Sequence, residues 1–96
     1  MNTIFIALIS LWTLCQASPN VPAPKPLPFA HAHNDYVHEH PLHDALKTGF
    51  CSVEADVWAV GGNLLVGHNL ADTRPERTLE ALYLAPLQER VKQNRG

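Results

Sequence analysis

The chain has 96 residues, of which 46% are hydrophobic and 17% charged, and its formal net charge is −2 at pH 7. Without an excess of basic residues it lacks the electrostatic footprint of a nucleic-acid-binding protein, so nucleic acid is excluded as an expected partner. A chain of this length can bury only a small core.

The first 28 residues predict no folded element. Residues 4–14 are an apolar run, too short for the roughly 20 apolar residues that span a bilayer. Cys15-Gln16-Ala17 follows with small residues of the kind that a signal peptidase reads. We therefore expect residues 1–17 to be a signal peptide, and the mature protein to be secreted or periplasmic. Residues 18–28 contain five prolines and are expected to form an extended spacer.

Residues 29–96 alternate between strand and helix patterns, beginning with an apolar run that ends at His33. Pro41 suits the first turn of a short helix, and Gly49 suits its C-terminal cap. Later, Thr78 is placed to cap another helix, and Pro86 to open a third. The predicted elements are strands at 27–32 and 50–60 and helices at 41–48, at 78–84 and from Pro86 onward. Strand, helix, strand, helix is how an α/β barrel opens.

Gly61-Gly62-Asn63 predicts the turn of an antiparallel hairpin, because too few residues follow Val60 for a parallel crossover. The loop length decides the register of the returning strand. A two-residue Gly-Gly loop would place His68 opposite Ala55, whereas a three-residue loop would place it opposite Asp56. We expect the three-residue loop, since it brings His68 to the face that carries the acids.

Two acids, Glu54 and Asp56, alternate with apolar residues in the second predicted strand. Residues two apart on a strand point the same way, with Cα atoms roughly 6.6 Å apart. Desolvating such charges costs several kcal/mol, on the order of the whole stability of a small domain. A bound cation would offset that cost, and carboxylate oxygens are the ligands that Mg²⁺ and Ca²⁺ prefer. We expect one of these ions here; an acidic face that simply meets water is the alternative.

Two histidines follow apolar runs, His33 after the first predicted strand and His68 after the hairpin's return strand. Polar residues at strand ends are how α/β scaffolds present catalytic groups, and histidine exchanges protons near neutral pH. His31 shares a face with His33, where support of the site and simple packing are both open. Asp35 is expected to bond backbone amides. The remaining histidines and two arginines are expected to be solvated: His38, His40, His43, Arg74 and Arg77.

The run His33-Asn34-Asp35-Tyr36 resembles the His-Asn-Thr-Tyr motif of phosphatidylinositol-specific phospholipase C. Glu54, Asp56 and then His68 resemble the next block of that superfamily, which glycerophosphodiester phosphodiesterases share. The resemblance implies the N-terminal part of a (β/α)₈ TIM barrel of the phospholipase-C-like phosphodiesterase type, incomplete in this chain because such barrels take about 250 residues. Residues 29–96 would be this N-terminal fragment.

By the same resemblance, His33 and His68 are catalytic residues, Glu54 and Asp56 are metal ligands, and Asn34 is a further ligand. The implied function is a metal-dependent phosphoric diester hydrolase that uses histidine acid–base catalysis. Its substrate would be phospholipid-derived or a glycerophosphodiester, with peripheral membrane contact and no specific protein partner.

Two other classes of function stay open from the sequence. His31-Ala32-His33 at a strand end is also the opening of zinc amidohydrolases, which share the barrel fold, although that reading leaves Glu54, Asp56 and His68 unexplained. The second class is a non-catalytic secreted fragment that binds a metal or a lipid headgroup without turnover.

Overall fold

A computed structural model describes residues 22–95. The predicted signal peptide, residues 1–17, lies outside this part of the chain. Within residues 22–95, nine short elements follow one another: β1 (Ala32–His33), a first 3₁₀ turn (Asp35–Val37), α1 (His43–Thr48), β2 (Val53–Glu54), β3 (Val57–Val60), β4 (Asn63–Val66), a second 3₁₀ turn (Leu70–Asp72), a π-helical turn (Glu80–Leu84) and α2 (Ala85–Gln93).

Strands β1 and β2 are parallel neighbours, and α1 connects them as a βαβ unit. The register pairs His33 with Glu54, so the carboxyl ends of the two strands lie side by side. Helix α1 ends at Gly49 as predicted, with φ at 101°. A Cβ at this position would lie 2.2 Å from the carbonyl oxygen of Lys25, so only glycine fits this turn.

The single strand predicted over residues 50–60 is wrong, because the chain changes partner within it. β2 pairs with β1, whereas β3 pairs with β4, and Ala55 and Asp56 lie between the two ladders. The first strand is also shorter than the predicted 27–32. Before β1, an isolated parallel bridge joins Leu27 to Phe50.

The β3–β4 hairpin turns through two residues, so the predicted three-residue loop is wrong. Val60 pairs with Asn63, and Gly61 and Gly62 form the loop with φ of 56° and 81°. A two-residue turn of this kind needs positive φ at both central positions, which two glycines adopt at little steric cost. Asn63 is therefore free to join the ladder. The ladder ends at Val66, and the backbone bends at His68.

The core is a small cluster whose buried members are Tyr36, Leu42, Val66 and Tyr83. Asp35, only 6% exposed, braces it with hydrogen bonds in two directions. Its Oδ2 accepts the Leu42 backbone N–H at 2.6 Å, as the sequence predicted for this side chain, and its Oδ1 accepts the Tyr83 hydroxyl. Burial, followed by the hydrogen bond and the charge of Asp35, raises the pKa of Tyr83.

The C-terminal helix begins as predicted but does not break at Pro86. The Thr78 hydroxyl accepts the Ala81 N–H at 3.0 Å, which caps the first turn. The chain then passes through the π-helical turn directly into α2, which holds Pro86 in its first turn, where a missing N–H is tolerated. Across residues 22–95, no helix is long and apolar enough to cross a membrane.

The Asp35 brace predicts a specific loss of stability. Asp35→Ala leaves the buried Leu42 N–H and the Tyr83 hydroxyl without their acceptor, and should lower the free energy of unfolding by about 1–3 kcal/mol. Asp35→Asn, which can still accept one bond and donate another, should restore part of the loss. Asp72→Ala at an exposed site is the matched control and should change stability by no more than about 0.5 kcal/mol. Urea denaturation followed by tryptophan fluorescence measures all three; equal stability of Asp35→Ala and the control contradicts the brace.

Candidate active site

The carboxyl ends of β1 and β2 bring the first two site residues together. His33 ends β1, Glu54 ends β2, and the parallel register sets them opposite each other. Nδ1 of His33 lies 2.5 Å from Oε2 of Glu54, with the two side chains 68% and 48% exposed. This edge of a parallel sheet is where α/β proteins bind ligands. His33 therefore lies at a strand end as the sequence predicted, whereas Glu54, predicted inside a longer strand, ends the short strand β2.

Asp56 is the hub of the site. Its Oδ2 accepts hydrogen bonds from Asn34 Nδ2 at 3.0 Å, from the Tyr36 hydroxyl at 3.0 Å and from His68 Nδ1 at 3.1 Å. The bond from His68, followed by that from Tyr36, holds the pKa of the Asp56 carboxyl below its ordinary value. Within residues 22–95, every hydrogen bond to this carboxylate goes to Oδ2, which leaves Oδ1 available to a ligand.

Asn34 joins the two halves of the site. Its backbone is left-handed, with φ at 52°, a conformation that asparagine tolerates better than most residues. The side chain then reaches Asp56, and its Nδ2 also lies 3.4 Å from Nε2 of His33. A continuous polar series results, in the order Glu54, His33, Asn34, Asp56, His68. We call these five residues the site network.

His68 reaches the site network although the hairpin register differs from the prediction. The two-residue loop sets position 68 opposite Ala55 in the antiparallel count, which is the wrong face for a regular ladder. The ladder has ended two residues earlier, however, and Gly67 donates its N–H to the Asp56 carbonyl at 3.2 Å. The bend at His68 then turns the imidazole toward Asp56.

Tyr36 has a role in the site that its local sequence does not reveal, because an aromatic residue more often serves only in packing. The ring is buried in the core, while its hydroxyl donates to Asp56. Burial, with the bond to Asp56 as the next cause, raises the pKa of Tyr36 to about 12. The hydroxyl therefore stays protonated, and remains a donor, across the physiological range. The one feature of the sequence that connects Tyr36 to the site is its position two residues after Asn34.

Arg77 is not the solvated loop residue that the sequence predicted. It is half-buried, and its Nη2 donates to the Tyr36 carbonyl at 2.6 Å. With Tyr36 and His68 it lines a cleft of about 340 Å³ beside the site network. The solvated assignments hold for Arg74 and for the three predicted surface histidines: His38, His40 and His43.

His31 lies at the border of the site. Its Nδ1 is 2.8 Å from the Ser52 hydroxyl, and its Nε2 is 3.7 Å from Oε2 of Glu54. The side chain is 49% exposed, so simple packing does not describe it. Of the two roles that the sequence left open, contact with Glu54 favours support of the site.

The oxygen atoms of the site suit a hard divalent cation. Asp56 has Oδ1 available, and Glu54 holds His33 through one of its two oxygens. The amide oxygen of Asn34 is buried and has no hydrogen-bond partner within residues 22–95. A buried polar atom without a partner costs free energy, which a ligand to that atom would recover. Metal ligation by these three residues stays a prediction.

Residues 23–95 match the model of a family described as the AIM6-like phosphodiesterase domain, and the chain belongs to this family. The phosphodiesterase class expected from the sequence is thereby confirmed at the level of the domain.

Named relatives agree with this assignment. The chain is 50% identical over 64 residues to Altered inheritance of mitochondria protein 6 of Lachancea thermotolerans, covering 64% of this chain and 15% of that protein. It is 48% identical over 66 residues to the Saccharomyces cerevisiae protein of the same name, an alignment that covers 67% of this chain and 17% of that protein. It is 41% identical over 73 residues to the Arthroderma benhamiae homolog, an alignment that covers 70% of this chain and 23% of that protein. The chain thus spans between 15% and 23% of the length of these relatives. No solved structure matches it.

The predicted secreted or periplasmic localisation is wrong. The relatives are named for the inheritance of mitochondria, not for secretion. The apolar run at residues 4–14 has the length and the small flanking residues of a signal peptide, which is why the sequence predicts export. It lacks the basic residue that usually precedes such a run.

The donors around Asp56 predict a measurable pKa change. Tyr36→Phe removes one hydrogen bond that stabilises the carboxylate, so the lowered pKa of Asp56 should rise toward its ordinary value of 3.8. The pKa of Asp56 is lower in the folded state than in the unfolded state. The stability linked to this carboxylate is therefore fully present above the unfolded-state pKa and is lost as the pH falls from there through the folded-state pKa. In Tyr36→Phe the linked stability should be smaller, and its loss should be complete at a higher pH, because only the folded-state pKa of Asp56 has risen.

Carbon NMR of the Asp56 carboxyl during an acid titration measures the shift. Tyr83→Phe is the matched control, because its hydroxyl contacts Asp35 instead. An unchanged Asp56 titration in Tyr36→Phe would show that the Tyr36 hydroxyl does not hold the carboxylate.

Proposed function

We propose that this domain carries catalytic residues of a metal-dependent phosphoric diester hydrolase. The observation that carries the proposal is the site network, which joins two histidines through Asn34 and supports each with a carboxylate. Membership of the phosphodiesterase family supports the reaction class. The amidohydrolase alternative has no comparable support, since it assigns no role to Asp56 or His68.

The proposed fold is a (β/α)₈ barrel of the phospholipase-C-like type, of which residues 29–96 form the first part. The parallel βαβ unit supports it, as does the position of His33 and Glu54 at the carboxyl ends of adjacent strands, where barrel enzymes hold their catalytic groups.

His33 and His68 are placed to move protons. Glu54 contacts Nδ1 of His33, and Asp56 contacts Nδ1 of His68, so each carboxylate orients a ring that can exchange a proton. One imidazole would take the proton of the attacking hydroxyl or water, and the other would give a proton to the leaving alcohol. Acid–base groups of this kind contribute about 10²–10⁴-fold to a rate.

Glu54, Asp56 and Asn34 would hold the cation, Mg²⁺ or Ca²⁺, through oxygen atoms. When bound, such an ion supplies positive charge that neutralises a non-bridging phosphate oxygen in the transition state. Asp56 then has two duties, because Oδ2 accepts three donors while Oδ1 faces a ligand.

The substrate class that we propose is a phospholipid-derived diester or a glycerophosphodiester. The cleft beside the site network supports a small substrate, since it is lined in part by His68 and by the cationic residue Arg77. A phosphodiester carries one negative charge, which a cation and two protonatable rings would balance. Contact with a lipid surface would be peripheral.

Two histidine variants of the full chain test this proposal. His33→Ala and His68→Ala should each lower kcat by about 10² or more for an alkyl phosphodiester such as glycerophosphocholine. His43→Ala, an exposed histidine outside the network, is the matched control and should keep full turnover. With bis(4-nitrophenyl) phosphate, whose leaving group needs little protonation, the variant that lacks the general acid should recover most of its rate. Unchanged turnover in either variant would remove that histidine from the mechanism.

A further inference from the structure

We propose that His31, His33 and Glu54 form a binding site for zinc or a similar transition-metal ion, which overlaps the site network at His33 and Glu54. One ligand atom from each residue lies within 4.8 Å of the other two, and all three side chains are exposed. Two imidazole nitrogens and one carboxylate oxygen are a ligand set that zinc accepts, with water in the fourth position.

The distances require only small movements. Oε2 of Glu54 is 2.5 Å from Nδ1 of His33 and 3.7 Å from Nε2 of His31. Around a tetrahedral zinc with bonds of about 2.0–2.2 Å, neighbouring ligand atoms lie roughly 3.4 Å apart. The distance from Glu54 Oε2 to His33 Nδ1 must increase by about 1 Å, and the distance from Glu54 Oε2 to His31 Nε2 must change by less. The side chains are half-exposed or more, so they can make this adjustment without disturbing the core.

Ser52 prepares His31 as a ligand. In the tautomer that carries its proton on Nδ1, His31 donates to the Ser52 hydroxyl at 2.8 Å, and its free electron pair on Nε2 faces Glu54. Metal-bound histidines commonly use their second nitrogen in this way, which fixes both the tautomer and the ring orientation.

His33 can bind zinc at little cost. Its Nδ1 is the atom that faces Glu54, so ligation puts the ring proton on Nε2. That proton displaces only the long contact of 3.4 Å with Asn34, while the shorter bond from Asn34 to Asp56 at 3.0 Å is kept. The zinc site and the site network therefore share His33 and Glu54 but not Asp56.

The ligand chemistry separates the two ions. Glu54, Asp56 and Asn34 offer oxygen atoms alone, which suit Mg²⁺ or Ca²⁺, whereas His31 and His33 offer the nitrogen atoms that favour zinc. Zinc held by His33 would also withdraw this residue from proton transfer. Zinc should therefore inhibit the hydrolase, a consequence that rests on the proposed function.

Calorimetric titration of Zn²⁺ into the full chain and three variants tests the site. His31→Ala should lower zinc affinity at least about tenfold, since it removes a ligand. His43→Ala, the matched histidine control, and Asp56→Asn should each stay within about threefold of the parent chain. Equal zinc affinity in His31→Ala and the parent overturns the proposal. So does a loss in Asp56→Asn as large as that in His31→Ala, because zinc would then lie at the oxygen site.

A second readout uses Co²⁺ in place of zinc. Tetrahedral coordination with two nitrogen ligands should give an intense visible absorption in the parent chain and in Asp56→Asn, but not in His31→Ala. A weak octahedral spectrum in the parent chain overturns the site. Absence of phosphodiesterase activity would defeat the proposed function alone, because neither the calorimetric nor the cobalt experiment depends on turnover.

Discussion

The site depends on one carboxylate oxygen, Oδ2 of Asp56, which accepts three hydrogen bonds from two segments of the chain. Asn34 and Tyr36 come from the first 3₁₀ turn and its N-cap after β1, and His68 comes from the bend after β4. Hydrogen bonds to an ionised group are the stronger ones, and three of them on one atom fix the relative positions of these segments. The location of Asp56 between two ladders, outside either one, gives its side chain access to all three donors.

The same arrangement connects the site to the core. Tyr36 packs among Leu42, Val66 and Tyr83 while its hydroxyl contacts Asp56, and the neighbouring Asp35 binds the Tyr83 hydroxyl and the Leu42 backbone. Two tyrosine–aspartate pairs thus lie on either side of one short turn, one in the core and one in the site. Packing of the core therefore positions the donor that holds the Asp56 carboxylate.

Much of the site could be predicted from the sequence, because strand ends are visible in it. The apolar run that ends at His33 indicated a strand that presents this residue, and the strand pattern around Glu54 indicated a neighbouring strand; the structure pairs the two residues. The loop length could not be read from composition alone, since Asn63 suits both a three-residue loop and a strand start. The choice depended on the two glycines, which complete the turn by themselves. The break in the second strand was equally hidden, because alternation continues through Ala55 and Asp56 although the pairing partner changes.

The residues that the sequence analysis missed act through tertiary contacts. A tyrosine usually serves in packing, and an arginine in a polar loop is usually solvated, so the local patterns around Tyr36 and Arg77 do not indicate a role in the site. Their observed roles depend on partners 20 and 41 residues away in the chain, which local spacing does not encode. The roles of His33, His68, Glu54, Asp56 and Asn34 in catalysis and metal binding remain predictions that the geometry supports.

The most direct test of the central claim is calorimetric titration of Mg²⁺ and Ca²⁺ into the full chain and into Asp56→Asn. The amide keeps a neutral oxygen and nearly the same volume, so the fold should survive while the charge that attracts the ion is lost. Glu89→Gln, which neutralises an exposed glutamate on α2 outside the site network, is the matched control for net charge. We predict that divalent-ion affinity falls in Asp56→Asn and is retained in Glu89→Gln. Equal affinity in all three proteins would contradict a metal site at Asp56, and with it the proposed metal-dependent mechanism.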